Sequence, residues 1–231
     1  LAQCGVCSRR DADKLIEQGK VLVNGQVAGM GQQVEETDTV QVGKKILQGK
    51  QTQKVLAFYK PVGVTCTERD PHAEKKIMDM IRYPERLTYA GRLDKDSEGL
   101  ILLTNDGDLI NAMMRGGNRH EKEYIVKTDR EITPDFLEKM AKGIYLKDLD
   151  ITTRECEIEQ IGKFTFRIVL TQGVNRQIRR MCEACGYRVK ALKRIRIMNI
   201  LLGNLKPGKW REVTGEELEQ LQRDTGMLNR N

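Results

Sequence analysis

No stretch of this 231-residue chain approaches the roughly twenty consecutive apolar residues that a membrane-spanning helix needs. Histidine occurs only twice. His120, in Asn-Arg-His-Glu-Lys-Glu-Tyr, has no nucleophile or metal ligand beside it in sequence, which leaves it a supporting role. A glycine-rich phosphate loop and a strict strand-helix-strand repeat are both missing, so a doubly wound nucleotide-binding fold is disfavoured. Zinc half-sites are imitated rather than made. Cys4-Gly-Val-Cys7 and Cys182-Glu-Ala-Cys185 lie at opposite ends of the chain, whereas paired half-sites usually fall within about twenty residues. Ile178, Met181, Cys182 and Cys185 instead follow the i, i+3, i+4, i+7 stripe of a helix, so the second pair reads as core. Unpaired thiols fit a reducing cytoplasm.

What is present is enough apolar residue, 39%, to bury a real core in one large domain with a small appendage. The net charge of +7 is concentrated. Between Arg176 and Arg196 stand Arg176, Arg179, Arg180, Arg188, Lys190, Lys193, Arg194 and Arg196 against Glu183 alone, and the rest of the chain is neutral. A positive field confined to one segment points to a phosphate backbone as partner.

The chain opens at Leu1 in what reads as the middle of a helix, so part of a first module is expected to precede it. Ser8 to Gly19 is predicted to be a helix, with Ser8 as N-cap and Asp11 closing a capping box. Asn24-Gly25 between Val21-Leu22-Val23 and Gln26-Val27 predicts a hairpin, and Val34, Val40 and Val42 suggest a second strand pair around residues 35–39. Polar residues 48–53 read as a linker between domains at 1–47 and 54–225. In the larger part, Val55 to Tyr59 is strand-like and stops at Lys60-Pro61-Val62-Gly63. Asp108 is expected to cap a helix through Met114, with Met113 and Met114 in the core, and Thr133 to cap one from Pro134 to Gly143. Phe164, Phe166, Ile168 and Leu170 alternate as in a strand, and Thr214-Gly-Glu-Glu217 reads as a capping box. These elements predict an α+β fold with a mixed, largely antiparallel sheet flanked by helices.

The most informative stretch is Gly91-Arg92-Leu93-Asp94-Lys95-Asp96-Ser97-Glu98-Gly99, a charged loop before the apolar run Leu100 to Leu103. Asp94, Asp96 and Glu98 also fit the opening of a calcium loop. Its twelfth position, however, is Asn105 rather than a bidentate Glu, and the intervening residues are apolar. Gly-Arg-Leu-Asp followed by Ser-Glu-Gly-Leu-Ile-Leu-Leu-Thr-Asn-Asp-Gly closely resembles the catalytic motif of pseudouridine synthases of the RsuA type. Lys60-Pro61, Lys122-Glu123-Tyr124 and Gly173-Val-Asn175-Arg-Gln177-Ile-Arg179-Arg180-Met match further motifs of that family in the family's order. Residues 1–47, with Cys-Ser-Arg-Arg-Asp-Ala-Asp and Gly-Lys-Val-Leu-Val-Asn-Gly, resemble the S4 RNA-binding domain. Within the family the loop looks most like the RluF group, which modifies a uridine in domain V of 23S ribosomal RNA.

The resemblance implies an isomerase that turns uridine into pseudouridine in ribosomal RNA without metal or cofactor, as a cytoplasmic monomer. Asp94 would be the catalytic carboxylate, Arg179 its ion-pair partner and Tyr124 the face on which the flipped-out uracil stacks. Asp94 has three routes open, to the sugar carbon, to the base or to a sugar proton. Arg9, Arg10, Lys14, Lys60, Arg92, Lys122, Arg176 and Arg180 are the candidate RNA contacts. Other targets in 23S, 16S or transfer RNA, a binding-only assembly factor, and a metal-dependent nuclease built on Asp94, Asp96 and Asp106 are the competing readings.

Overall fold

Residues 1–35, 37–47, 52–67 and 74–228 are described by the computed structural model. Residues 1–7 run as turns, so the chain does not open inside a helix. The Ser8 hydroxyl then accepts from the Asp11 amide at 3.1 Å and starts α1 (Arg9–Glu17). Asn24 and Gly25, at φ 51° and 81°, form the tight turn joining β1 (Val21–Val23) to β2 (Gln26–Val27). β3 (Val40–Val42) pairs with β1 and with β4 (Lys45–Ile46). Val34 lies outside any strand, and the expected partner segment is replaced by β4, whose two residues are too few to register as a pattern. The resulting sheet, β2-β1-β3-β4, buries Val21, Val23 and Ala28 against Leu15 and Ile16 of α1. Of the expected linker, residues 48–51 lie outside the described residues.

Among the described residues the second sheet has nine strands. They are β5 (Val55–Lys60), β6 (Thr88–Ala90), β7 (Glu98–Thr104), β8 (Lys122–Thr128), β11 (Glu157–Gly162), β12 (Thr165–Leu170), β13 (Val189–Ile197), β14 (Ile200–Leu201) and β15 (Trp210–Glu212). β9 (Tyr145–Leu146) and β10 (Ile151–Thr152) pair separately. Among the described residues four α-helices accompany them: α2 (Gly107–Met114), α3 (Pro134–Lys142), α4 (Gln177–Ala184) and α5 (Gly215–Asp224). The order is β11-β12-β8-β13-β7-β5-β15, with β14 on β13 and β6 on β7. Among the described residues every pairing between strands of this sheet is antiparallel except β7 with β13, which meet only at Glu98 with Lys193 and Gly99 with Arg194.

That parallel seam divides the sheet into two halves with separate cores. On one side Phe136 and Met140 of α3, with Ile178, Met181 and Cys182 of α4, cover Val126, Phe166 and Ile168. On the other, β5 and β7 are covered on both faces, by Leu109 and Leu221 on one and by Val64, Ile77 and Leu87 on the other. This double burial explains the unbroken apolar run from Leu100 to Leu103. The cysteine pair at 182 and 185 packs as the helical stripe predicted, and all six thiols are free.

Three local expectations change. Asp106, not Asp108, caps α2, accepting from the amides of Asp108 and Leu109 at 2.8 and 3.2 Å. Met113 is buried, but Met114 is 46% exposed and faces a cleft. Thr214 precedes α5 without a side-chain cap, and the Glu217 carboxylate, which would close the box, is held by Arg211 at 2.6 and 2.7 Å instead. α3 is as predicted, with the Thr133 hydroxyl accepting from Phe136 and Gly143 at φ 87°.

Glu123 is clamped on β8 between Arg167 and Arg196, both at 2.6 Å. Burial alone would push its carboxyl up, but the two guanidinium hydrogen bonds outweigh it and hold the group below its ordinary 4.5. The lowered folded value means this stabilisation is present above pH 4.5 and lost as pH falls through the folded value. Glu123→Gln is therefore expected to destabilise the protein most near neutrality. The difference from the parent in urea midpoint should shrink toward acid pH, and a pH-independent difference would contradict this.

Candidate active site at the sheet seam

A cleft of about 580 Å³ opens at the seam, lined by the loop 91–97, β8, β13 and the segment leading into α4. The loop is held by its backbone. The Asp94 carbonyl accepts from the Ser97 amide at 3.1 Å and the Lys95 carbonyl from the Gly63 amide at 2.7 Å. The Asp96 carbonyl accepts from Arg179 at 3.0 Å and the Ser97 carbonyl from Lys60 at 2.7 Å. Four successive carbonyls are thus tied down, three of them to distant segments, which fixes the loop while leaving the Asp94 side chain, 34% exposed, free to face the cleft.

Lys60 is fully buried, and its ammonium also donates to the Pro61 carbonyl at 2.9 Å. Burial lowers its pKa. It buttresses the loop from beneath and does not reach a phosphate, because the strand carrying it is covered on both faces.

The guanidinium facing Asp94 is that of Arg176, at 3.4 Å, and not that of Arg179. Arg176 stands just before α4 in a left-handed conformation, φ 51°, an uncommon setting for a side-chain-bearing residue and one that gathers at functional sites. It also meets Asp96 at 3.2 Å. Arg179, one turn into the helix, reaches Asp96 at 3.3 Å and the buried Ser97 hydroxyl at 3.2 Å. Burial alone would push the Asp96 carboxyl up, but the hydrogen bond from Arg176 and the charges of Arg179 and Arg176 hold it below the usual carboxylate range. The two aspartates therefore differ: Asp96 is locked between two arginines and Asp94 is the one carboxylate lining the cleft among the described residues.

Tyr124, 9% exposed, lines the cleft from β8 among Leu170, Ile178 and Leu192. Arg92, Lys95, Lys122, Arg176, Arg179 and Arg194 supply its cations. Arg180 turns away to Asn175 and Asp148. Arg9 and Arg10 line a separate groove of about 490 Å³ between α1 and α2, where Arg9 pairs with Asp108 at 3.2 Å; Lys14 is exposed on α1. His120 lies outside the cleft lining, its Nε2 buried without a partner among the described residues, and burial lowers its pKa.

The basic segment is thus dispersed in space. Arg196 is consumed by Glu121 and Glu123, Lys193 lies 5.0 Å over the Tyr59 ring, and three of the six cleft cations come from outside the segment. Arg194 does not stand out in the sequence as a site residue, although its alternation with Leu192 along β13 places both on the cleft side.

Residues 54–184 match the RNA pseudouridylate synthase family, and residues 1–40 match the S4 domain. The Escherichia coli (strain K12) protein named dual-specificity RNA pseudouridine synthase RluF is 45% identical over 223 residues, spanning 96% of this chain and 76% of its own. Ribosomal large subunit pseudouridine synthase B of Pseudomonas aeruginosa is 33% identical over 239 residues, spanning 98% of this chain and 61% of its own. A pseudouridylate synthase crystal structure superposes with a TM-score of 0.71 at 27% identity, over 95% of this chain and 96% of that one.

Proposed function

Because this chain belongs to the RNA pseudouridylate synthase family and is a pseudouridine synthase with an S4 domain, we propose that it isomerises a uridine in domain V of 23S ribosomal RNA, with Asp94 as the reacting carboxylate. The observation that carries the assignment to Asp94 is its position as the carboxylate lining the seam cleft, on a loop whose carbonyls from 94 to 97 are all tied down. Arg176, 3.4 Å away, orients that carboxylate. Arg179 acts one step behind, fixing the loop through Asp96 and Ser97. The target base, taken out of its stack, lies against the Tyr124 ring, with Arg92 and Lys95 at the cleft toward the RNA backbone. The ribosomal target rests on the likeness to the two named bacterial synthases. The name of the E. coli relative carries two specificities, so a second RNA substrate belongs in the test.

The test is release of tritium from 5-tritiated uridine in 23S, 16S and transfer RNA transcripts, with and without EDTA, followed by mapping of the modified base. Release from 23S alone supports the reading; release only from another RNA moves the target, and loss with EDTA would point to metal-dependent chemistry. The groove beside α1 gives a separable outcome. Arg9→Ala with Arg10→Ala is expected to weaken RNA binding and flatten its salt dependence by about one to two charges. An unchanged salt slope would remove these residues from the interface.

A further inference from the structure

The cleft carries two cations that the synthase reading leaves outside the chemistry, Lys122, until now a candidate RNA contact, and Arg194. Tyr124 and Arg194 are directly opposed across the β8–β13 pair, and Lys122 lies two residues before Tyr124 on the same face. All three line the cleft. Among the described residues neither Lys122 nor Arg194 has a carboxylate partner. Lys122 Nζ makes one long contact, 3.4 Å to the His120 carbonyl. Arg194 is 3% exposed; its Nε donates to the Leu100 carbonyl at 2.7 Å, while its Nη2 is buried with no protein partner. An unpaired buried guanidinium N–H is costly, and two desolvated cations side by side repel. Burial, and the Arg194 charge after it, lower the Lys122 pKa. An acceptor bearing negative charge would relieve both.

We propose that Lys122 and Arg194 form an oxyanion site that takes a carbonyl oxygen of the target uracil and stabilises the charge the base acquires when it leaves the sugar. The proposal rests on the synthase reading. Whichever way Asp94 engages the nucleotide, the electron pair of the N1–C1′ bond passes to the base, where the ring oxygens share it. C5 then uses an electron pair to bond C1′, the C5 proton leaves and N1 takes one up, so the product is an isomer. Uracil held flat against Tyr124 presents its carbonyl oxygens at its edge, in the plane where the neighbouring Lys122 and Arg194 side chains rise from the same sheet face. Preorganised donors of this kind act where charge develops, in a site shielded from water.

The experiment compares single-turnover loss of the target nucleoside in RNA carrying uridine or 5-fluorouridine there, for the parent, Lys122→Met, Lys122→Arg and Arg194→Lys. Lys122→Met is expected to slow the uridine reaction by about 10²–10³-fold with RNA affinity unchanged. The loss should be clearly smaller with 5-fluorouridine, whose base carries negative charge more easily, and Lys122→Arg should recover most of the rate. Arg194→Lys should show the same dependence on the base. Equal loss on both RNAs would overturn the proposal, and parallel loss of rate and affinity would make the pair a phosphate contact. Full rate in the Lys122→Met protein would also overturn it. A parent unable to convert uridine would instead defeat the synthase reading itself. Arg194→Lys also disturbs the bond to Leu100, so the folded Lys122 variants decide the outcome if it unfolds.

Discussion

Asp94→Asn is expected to lower pseudouridine formation by at least about three orders of magnitude while leaving RNA affinity nearly unchanged. The substitution preserves shape and removes the charge and the electron pair that the chemistry uses. Arg176 keeps its contact with Asp96, so the anchoring of the loop survives. The four carbonyl hydrogen bonds of residues 94 to 97 do not involve the Asp94 carboxylate. Asp96→Asn is the comparison. Asp96 is held ionised between Arg176 and Arg179, which makes it a poor base, and its loss should loosen the loop and cost only a fraction of the Asp94 effect. Single-turnover tritium release together with a filter-binding isotherm separates these outcomes. Residual turnover of Asp94→Asn within tenfold of the parent, or a larger loss in Asp96→Asn, would move the chemistry away from Asp94.

Gly99→Ala should be among the most destabilising single-methyl substitutions in the molecule. Gly99 sits at φ 110°, a region that residues with a Cβ rarely enter. A Cβ there would also stand 2.2 Å from the Arg194 carbonyl oxygen and 2.7 Å from its amide nitrogen. Both are backbone atoms of the neighbouring strand and cannot swing aside. The contact is one of only two registered residue pairs holding β7 to β13, so relief would part the two halves of the sheet at the cleft. A cost above about 4 kcal/mol is expected, the range reserved for severe clashes and strain. At about 2–4 °C per kcal/mol for a chain of this length, the thermal midpoint should fall by roughly 10 °C or more. Activity should fall further than stability alone requires, because Arg194 moves with the seam. A midpoint within about 3 °C of the parent would show that the strands can separate freely there.

Much of this protein was legible locally. The caps of α1 and α3, the Asn24-Gly25 turn, the buried strand at Leu100 to Leu103 and the helical stripe through Met181 and Cys182 all follow from residues within a few positions of one another. The loop bearing Asp94 and the strand bearing Tyr124 were likewise marked by their own residue order, and the structure lines one cleft with both. Contacts across tens of residues were not legible. Lys60 looked like a surface cation at a Pro-Gly turn, but its strand runs between two apolar layers and its ammonium is used by a loop that starts about thirty residues later. Arg176 and Arg179 carry the same charge one turn apart, and only the left-handed residue opening α4 decides which of them meets Asp94. The basic run from Arg176 to Arg196 reads as one field along the chain, yet β13 pairs with β8 and delivers Arg196 to Glu121 and Glu123.

The sequence by itself determined the elements, their turns and the residue types able to perform the chemistry, because hydrophobic period, capping and turn geometry are short-range properties. Only the tertiary structure decided which charges neutralise one another and which remain to face the cleft. Ion pairing depends on distances across neighbouring strands and loops, and those distances are set by strand order, register and burial rather than by position along the chain.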